Sequence, residues 1–148
     1  MTGLASAGVV RPEGDYRGRR LGLPSEGPGS VATFGARLAA FVLDVLAGAL
    51  MGGLANLFVH HPDSTARTVS ANAAFLIEVI VLGALTGQSL GMRLVGLRIL
   101  RLSGQVPPGL PTILLRTLLL LPLIPVVLSD RDGRGLHDKA ARTVVVRA

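Results

Sequence analysis

Apolar residues gather into three runs from residue 31 onward, each bounded by polar or Pro/Gly-rich stretches. The first, Leu38 to Val59, is built from Leu, Val, Ala and Gly, with Asp44 inside it. As a helix it would span roughly 33 Å, enough for a hydrocarbon core of about 30 Å. His60, His61, Pro62 and Asp63 end it. The second run, Ser70 to Thr86, carries Glu78 near its centre and leads into Gly87-Gln88-Ser89-Leu90-Gly91. The third, Thr112 to Leu128, follows Pro107, Pro108 and Pro111 and contains Arg116, Pro122 and Pro125. This pattern predicts an all-α membrane protein: two transmembrane helices and a third, proline-containing apolar segment. Leu94 to Leu100 and Thr143 to Val146 read as short cytoplasmic strands.

Orientation follows from Lys and Arg. The chain through Arg37 carries five, the 60–69 loop only Arg67, and the 87–111 loop three. The positive-inside rule then puts the N-terminus and the 87–111 loop in the cytoplasm. The tail from Ser129 holds Arg131, Arg134, Lys139, Arg142 and Arg147, so the rule wants it inside as well. Three full crossings would place it outside. Two readings remain: the third segment crosses, or it turns at Pro122 or Pro125 and leaves on the side it entered. Its prolines and its length of about 25 Å suit the re-entrant form, and pairing of the two strand-like segments would require it.

Composition narrows the class. The chain has 148 residues, one Tyr, four Phe, no Trp and no Cys, so it offers one domain, no disulfide and no thiolate metal site. Its net charge of +6 comes from 15 basic residues that mostly edge the apolar runs. No aromatic residues are interleaved among them to stack on bases, so nucleic acid is not an expected partner. Residues 1–30 read as a disordered basic cytoplasmic arm, rich in Gly and Pro and with Arg17, Arg19 and Arg20 placed to meet anionic lipid headgroups. No apolar core follows early enough for a signal peptide.

The residues also resemble a known family. Arg37 opening an apolar helix, Asp44 within it, and Asp138 in Arg134-Gly135-Leu136-His137-Asp138 look like the Arg and two Asp that name the RDD family. Ser89 to Ile99 is similar to its Thr-x-Gly-Lys-x-x-x-Gly-Leu-x-Val stretch, Arg116 to the Arg of its last apolar segment, and Ala141 to Val146 to its closing motif. Met92 stands where Lys is frequent and Arg142 where Gly is usual. The resemblance covers residues 34–147. It implies an integral protein of the bacterial cell membrane, with transport as one suggested role.

The residues that could carry chemistry are Arg37, Asp44, Glu78, Arg116 and Asp138. Ionisable groups at membrane depth are costly, so they face a bundle interior or a wet cavity and have partners. Asp44 and Glu78 sit roughly 9 and 12 Å from the inner ends of antiparallel helices, a common level, with Arg116 near it. Such a cluster is either a cation or proton site, since close carboxylates do not both stay ionised, or a structural lock in which Arg116 neutralises Asp44. Asp138 is placed to pair with Arg93, Arg98 or Arg116, or to cap a turn. Gly48-x-x-x-Gly52 and Gly83-x-x-x-Gly87-x-x-x-Gly91 put small residues on one helix face, for packing within the chain or between copies in a homo-oligomer. His60, His61 and Asp63 supply too few fixed groups for a metal. Asp130-Arg131-Asp132-Gly133 lacks the ligands of a calcium loop. No catalytic or cofactor motif is present, so no enzyme is expected. The function readings are a transport or cation/proton-coupled subunit and a non-transporting scaffold or adaptor.

Overall fold

The computed structural model describes residues 16–58, 62–103, 107–120 and 134–148. Helix α1 spans Phe34–Asn56 and α2 spans Ser64–Thr86. Each starts at a side chain that caps it. The Thr33 hydroxyl accepts from the Ala36 amide at 3.3 Å, and the Asp63 carboxylate accepts from the Ala66 amide at 2.7 Å. These caps satisfy amides with no partner inside the helix, and they set the starts four and six residues ahead of Leu38 and Ser70. Asp63 is thus a helix cap. His60 and His61 lie outside the described residues.

The two helices are inverted relative to a soluble hairpin. The buried face of α1 is Ala40, Asp44, Gly48 and Gly52, while Leu46, Leu50 and Leu54 are more than half exposed. In α2, Glu78 and Gly83 are buried and Ile77 and Leu85 are exposed. Large apolar side chains facing outward and small or polar ones inward are what lipid solvation selects. The mean hydropathy of the spans, 2.0 and 1.9, agrees.

Glycine brings the helices together. A Cβ on Gly52 would fall 2.5 Å from the Ala71 amide nitrogen, and one on Gly48 would fall 2.6 Å from the Phe75 Cβ. Phe41 and Phe75 meet edge to face, with ring centroids 5.9 Å apart. Asn56 ties the far end, donating to the Gly52 carbonyl at 2.9 Å and to the Ser70 hydroxyl at 2.7 Å. Gly48 and Gly52 therefore serve packing within the chain.

The second glycine series does not share one helix face. Gly87 takes φ +73° and ends α2, its amide donating back to the Gly83 carbonyl. The chain turns there into a short helix α3, Leu90–Val95, which contains Gly91. A left-handed glycine cap interrupts what the four-residue spacing read as continuous. Gly83 instead meets Ile113 of helix α4, Leu110–Leu120.

Strand β1, Leu97–Arg101, pairs antiparallel with β2, Thr143–Arg147, with Leu97 opposite Arg147 and Arg101 opposite Thr143. The expected strands are present, β1 beginning three residues late because Leu94 and Val95 belong to α3. Between them lie α4 and a short helix α5, Leu136–Ala140. The stretch carrying the third apolar segment thus leaves the strand pair and returns to it. Pro122, Pro125 and residues 130–133 lie outside the described residues.

The arm differs from expectation where it is described. Residues 16–30 are ordered against β2: Gly29 donates to the Arg147 carbonyl at 2.9 Å, and Arg147 donates back to Ser30 at 3.0 Å. Val31 then bridges to Val146, and Leu21 and Leu23 pack on Val31, Val144 and Val146. The physical reason is strand alternation. Val145 turns toward Ala32, Ala40 and Leu97, so Val144 and Val146 face the other way and need a cover. Residues 1–15 lie outside the described residues.

Candidate functional site

Two polar clusters occupy the junction between the long helices and the strand pair. The first is built around the N-terminus of α3. The Asp44 carboxylate accepts from the Ser89 hydroxyl at 2.6 Å and from the Gly91 amide at 2.5 Å. Glu78 accepts from the intervening Leu90 amide at 2.6 Å. The Ser89 hydroxyl in turn accepts from the Met92 amide at 3.3 Å. Three successive amides at the start of α3 are thereby satisfied by three side chains from three elements. Carboxylates are favoured there because the free N–H groups carry partial positive charge. Asp44 and Glu78 thus accept from neighbouring amides at the start of α3.

Close approach at Gly91 makes this arrangement possible. A Cβ there would collide with the Ala40 carbonyl oxygen and sit 2.8 Å from an Asp44 carboxylate oxygen. The second carboxylate oxygen of Glu78 is buried and accepts no hydrogen bond among the described residues.

The second cluster centres on Asp138, which is fully buried in α5. Arg116 Nε lies 3.1 Å from one carboxylate oxygen, and Arg37 Nη1 lies 3.5 Å from the other. His137 Nε2 is also 3.5 Å away, and the Thr143 hydroxyl donates at 3.2 Å. Burial alone would raise the Asp138 pKa. The Arg116, His137 and Arg37 charges and the Thr143 hydroxyl outweigh it and hold the carboxyl below its ordinary range. Arg37 also donates to the Val145 carbonyl at 3.4 Å. One carboxylate therefore joins α1, α4, α5 and the strand pair.

Arg116 pairs with Asp138, one of the three partners expected for that carboxylate, while the Asp44 oxygens go to Ser89 at the α3 N-cap and to the Gly91 amide. The expected Asp44–Arg116 pair is replaced because the turn at Gly87 delivers amide donors to Asp44. Arg93 lies 3.4 Å from Gln88 in a hydrogen bond of its own. Sequence reasoning gave no separate role to Ser89 or His137. Ser89 carried a signal, a small hydroxyl residue just before a short apolar run. His137 had only its place beside Asp138.

Between the clusters lies a cavity of about 80 Å³, lined by Arg37, Asp44, Ser89, Arg116, His137 and Asp138 on its polar side. It has room for several waters at roughly 10–15 Å³ of centre volume each. Phe34, Leu38, Phe41, Phe75 and Val79 form its apolar wall.

An inverted helix hairpin with its charged residues locked at one end defines a membrane domain. The model of the RDD family matches residues 31–142, and this chain belongs to that family of membrane proteins. No curated protein and no solved structure matches it.

Proposed function

We propose that this chain is a non-enzymatic, non-transporting membrane scaffold or adaptor of the bacterial cell membrane, acting as a homo-oligomer. Its two long helices anchor an ordered cap made of α3, α5, the strand pair and residues 16–32. The observation that carries this reading is the use of the intramembrane carboxylates: both Asp44 oxygens and one Glu78 oxygen are engaged by α3. Carboxylates held in place by backbone and hydroxyl donors have already exchanged part of their acceptor capacity for a structural role, which disfavours a moving ion. The cap then presents the working surface, with Arg17, Arg19 and Arg20 exposed on it. Ion flux in proteoliposomes tests this, comparing the native chain with Asp44→Asn. The native chain should give flux no different from empty vesicles.

A second reading, a cation- or proton-coupled subunit, is favoured by one observation, the cavity bordered by Asp44. Native flux above empty vesicles, lost in Asp44→Asn, would establish it and end the scaffold reading.

In either role we place the N-terminus and the 87–111 loop in the cytoplasm. The third segment is then re-entrant, because β1 and β2 tether its two ends to one place. Since the chain has no Cys, an introduced Gly14→Cys reports its side cleanly. An impermeant thiol reagent should leave it unlabelled in intact cells, and labelling would reverse the orientation.

A further inference from the structure

The polar wall of the cavity contains a donor that the fold leaves unused. Arg116 is about nine-tenths buried, with 9% of its side chain exposed, and its Nε is committed to Asp138. Its Nη1 is buried and has no hydrogen-bond partner among the described residues. An unmet buried donor on a charged group is costly, more so than on a neutral one. A folded chain that keeps one beside a cavity is complementary to an acceptor that enters there.

The charges specify the acceptor. Asp138 already faces Arg37, Arg116 and His137, and both Asp44 oxygens are occupied by Ser89 and Gly91. Asp138 Oδ2 accepts no hydrogen bond among the described residues but lies 3.5 Å from both Arg37 and His137, so cationic groups already face it, and Arg116 Nη1 is an unused donor on this wall. A guanidinium with an unused Nη1 matches a phosphate oxygen.

The walls specify what the phosphate is attached to. Arg37 lies in the first turn of α1, at the end where interfacial headgroups sit. Leu38 and Phe41 climb from it along α1, and Phe34, at the mouth, is 46% exposed. Helices α1 and α4 each pack on α2 and barely touch one another, so the cavity occupies the cleft between them. Charge at interface level with an apolar wall running inward is the profile of an amphiphile standing upright in the leaflet.

We propose that the α1–α4 cleft binds an anionic phospholipid, its phosphate on Arg116 beside Arg37 and its acyl chain against Leu38 and Phe41. The proposal does not depend on whether ions cross the protein, since it concerns occupancy of the cleft.

The test uses the full chain in detergent, with thermal unfolding followed as phosphatidylglycerol, phosphatidylcholine or inorganic phosphate is added. Phosphatidylglycerol should raise the midpoint by several degrees, with an apparent affinity roughly tenfold above that for phosphatidylcholine. Equal shifts from the two lipids would overturn recognition of the charge, and an equal shift from inorganic phosphate would overturn the lipid assignment. Arg116→Gln also breaks the pair with Asp138, so a fold-neutral variant is needed. Phe34→Glu places a carboxylate at the cleft mouth, at a helix start where acidic residues are favoured. It should fold, keep the Arg116–Asp138 pair and lose the preference for phosphatidylglycerol. Retention of that preference in Phe34→Glu would overturn the proposal.

Discussion

Asp44 and Asp138 are both buried acids in one small junction, yet they are stabilised by different means. Asp44 is met by neutral donors, a hydroxyl and a backbone amide. Asp138 is met by two guanidiniums, an imidazole and a hydroxyl. The first arrangement asks only that the chain turn at Gly87 and present the start of α3. The second needs side chains from α1, α4 and α5 to arrive together. Asp44 therefore belongs to a local turn, and Asp138 to the closure of the whole domain.

That contrast predicts unequal costs for the same chemical change. Asp138→Asn removes the charge that Arg37 and Arg116 both face, and stranding buried charge costs about 3–5 kcal/mol. Asp44→Asn keeps one acceptor and strands no counter-charge, so it should cost about 1–2 kcal/mol. Chemical unfolding of both variants in detergent gives the comparison directly, and equal losses would erase it. Adding Arg116→Gln to Asp138→Asn should recover part of the larger loss, and its coupling with Asp44→Asn, across the cavity that both residues line, should be smaller.

Acid should separate the sites in the same direction. The folded-state pKa of Asp138 is held below the ordinary value of about 3.9, so its contribution is complete above that value. Stability is lost as pH falls through the folded pKa, where the carboxyl takes up its proton. Asp138→Asn should flatten that acid limb. An unchanged limb in the variant would assign acid unfolding to other groups.

Much of this was legible in the residues. Hydropathy located both spans, the cost of charge in lipid singled out Asp44, Glu78 and Arg116, and the family resemblance pointed to Arg37 and Asp138. The β-branched run at Thr143–Val146 marked a strand. The partner of Asp44 was not legible. It depends on the left-handed turn at Gly87, which a four-residue glycine spacing disguised as helix. The docking of Leu21 and Leu23 was hidden as well, because their Gly- and Pro-rich surroundings resemble a free arm. What orders them is the outer face of β2, a tertiary demand with no local sign.

The smallest effect belongs to the residue that joins carboxylate and helix. Ser89 donates to Asp44 and accepts from the Met92 amide, so it caps α3 while fixing the carboxylate. Ser89→Ala removes both bonds, and loss of such a cap costs about 1 kcal/mol. Thr keeps the hydroxyl, so Ser89→Thr should retain most of that stability if the added methyl is accommodated. A local role further predicts that amide exchange in α3 accelerates in Ser89→Ala while β1 and β2 keep their protection. Hydrogen exchange on the purified chain reads both regions at once. Faster exchange spread evenly through α3 and the strands would mean that the two clusters rise and fall together, and the division between a local turn and a domain closure would not hold.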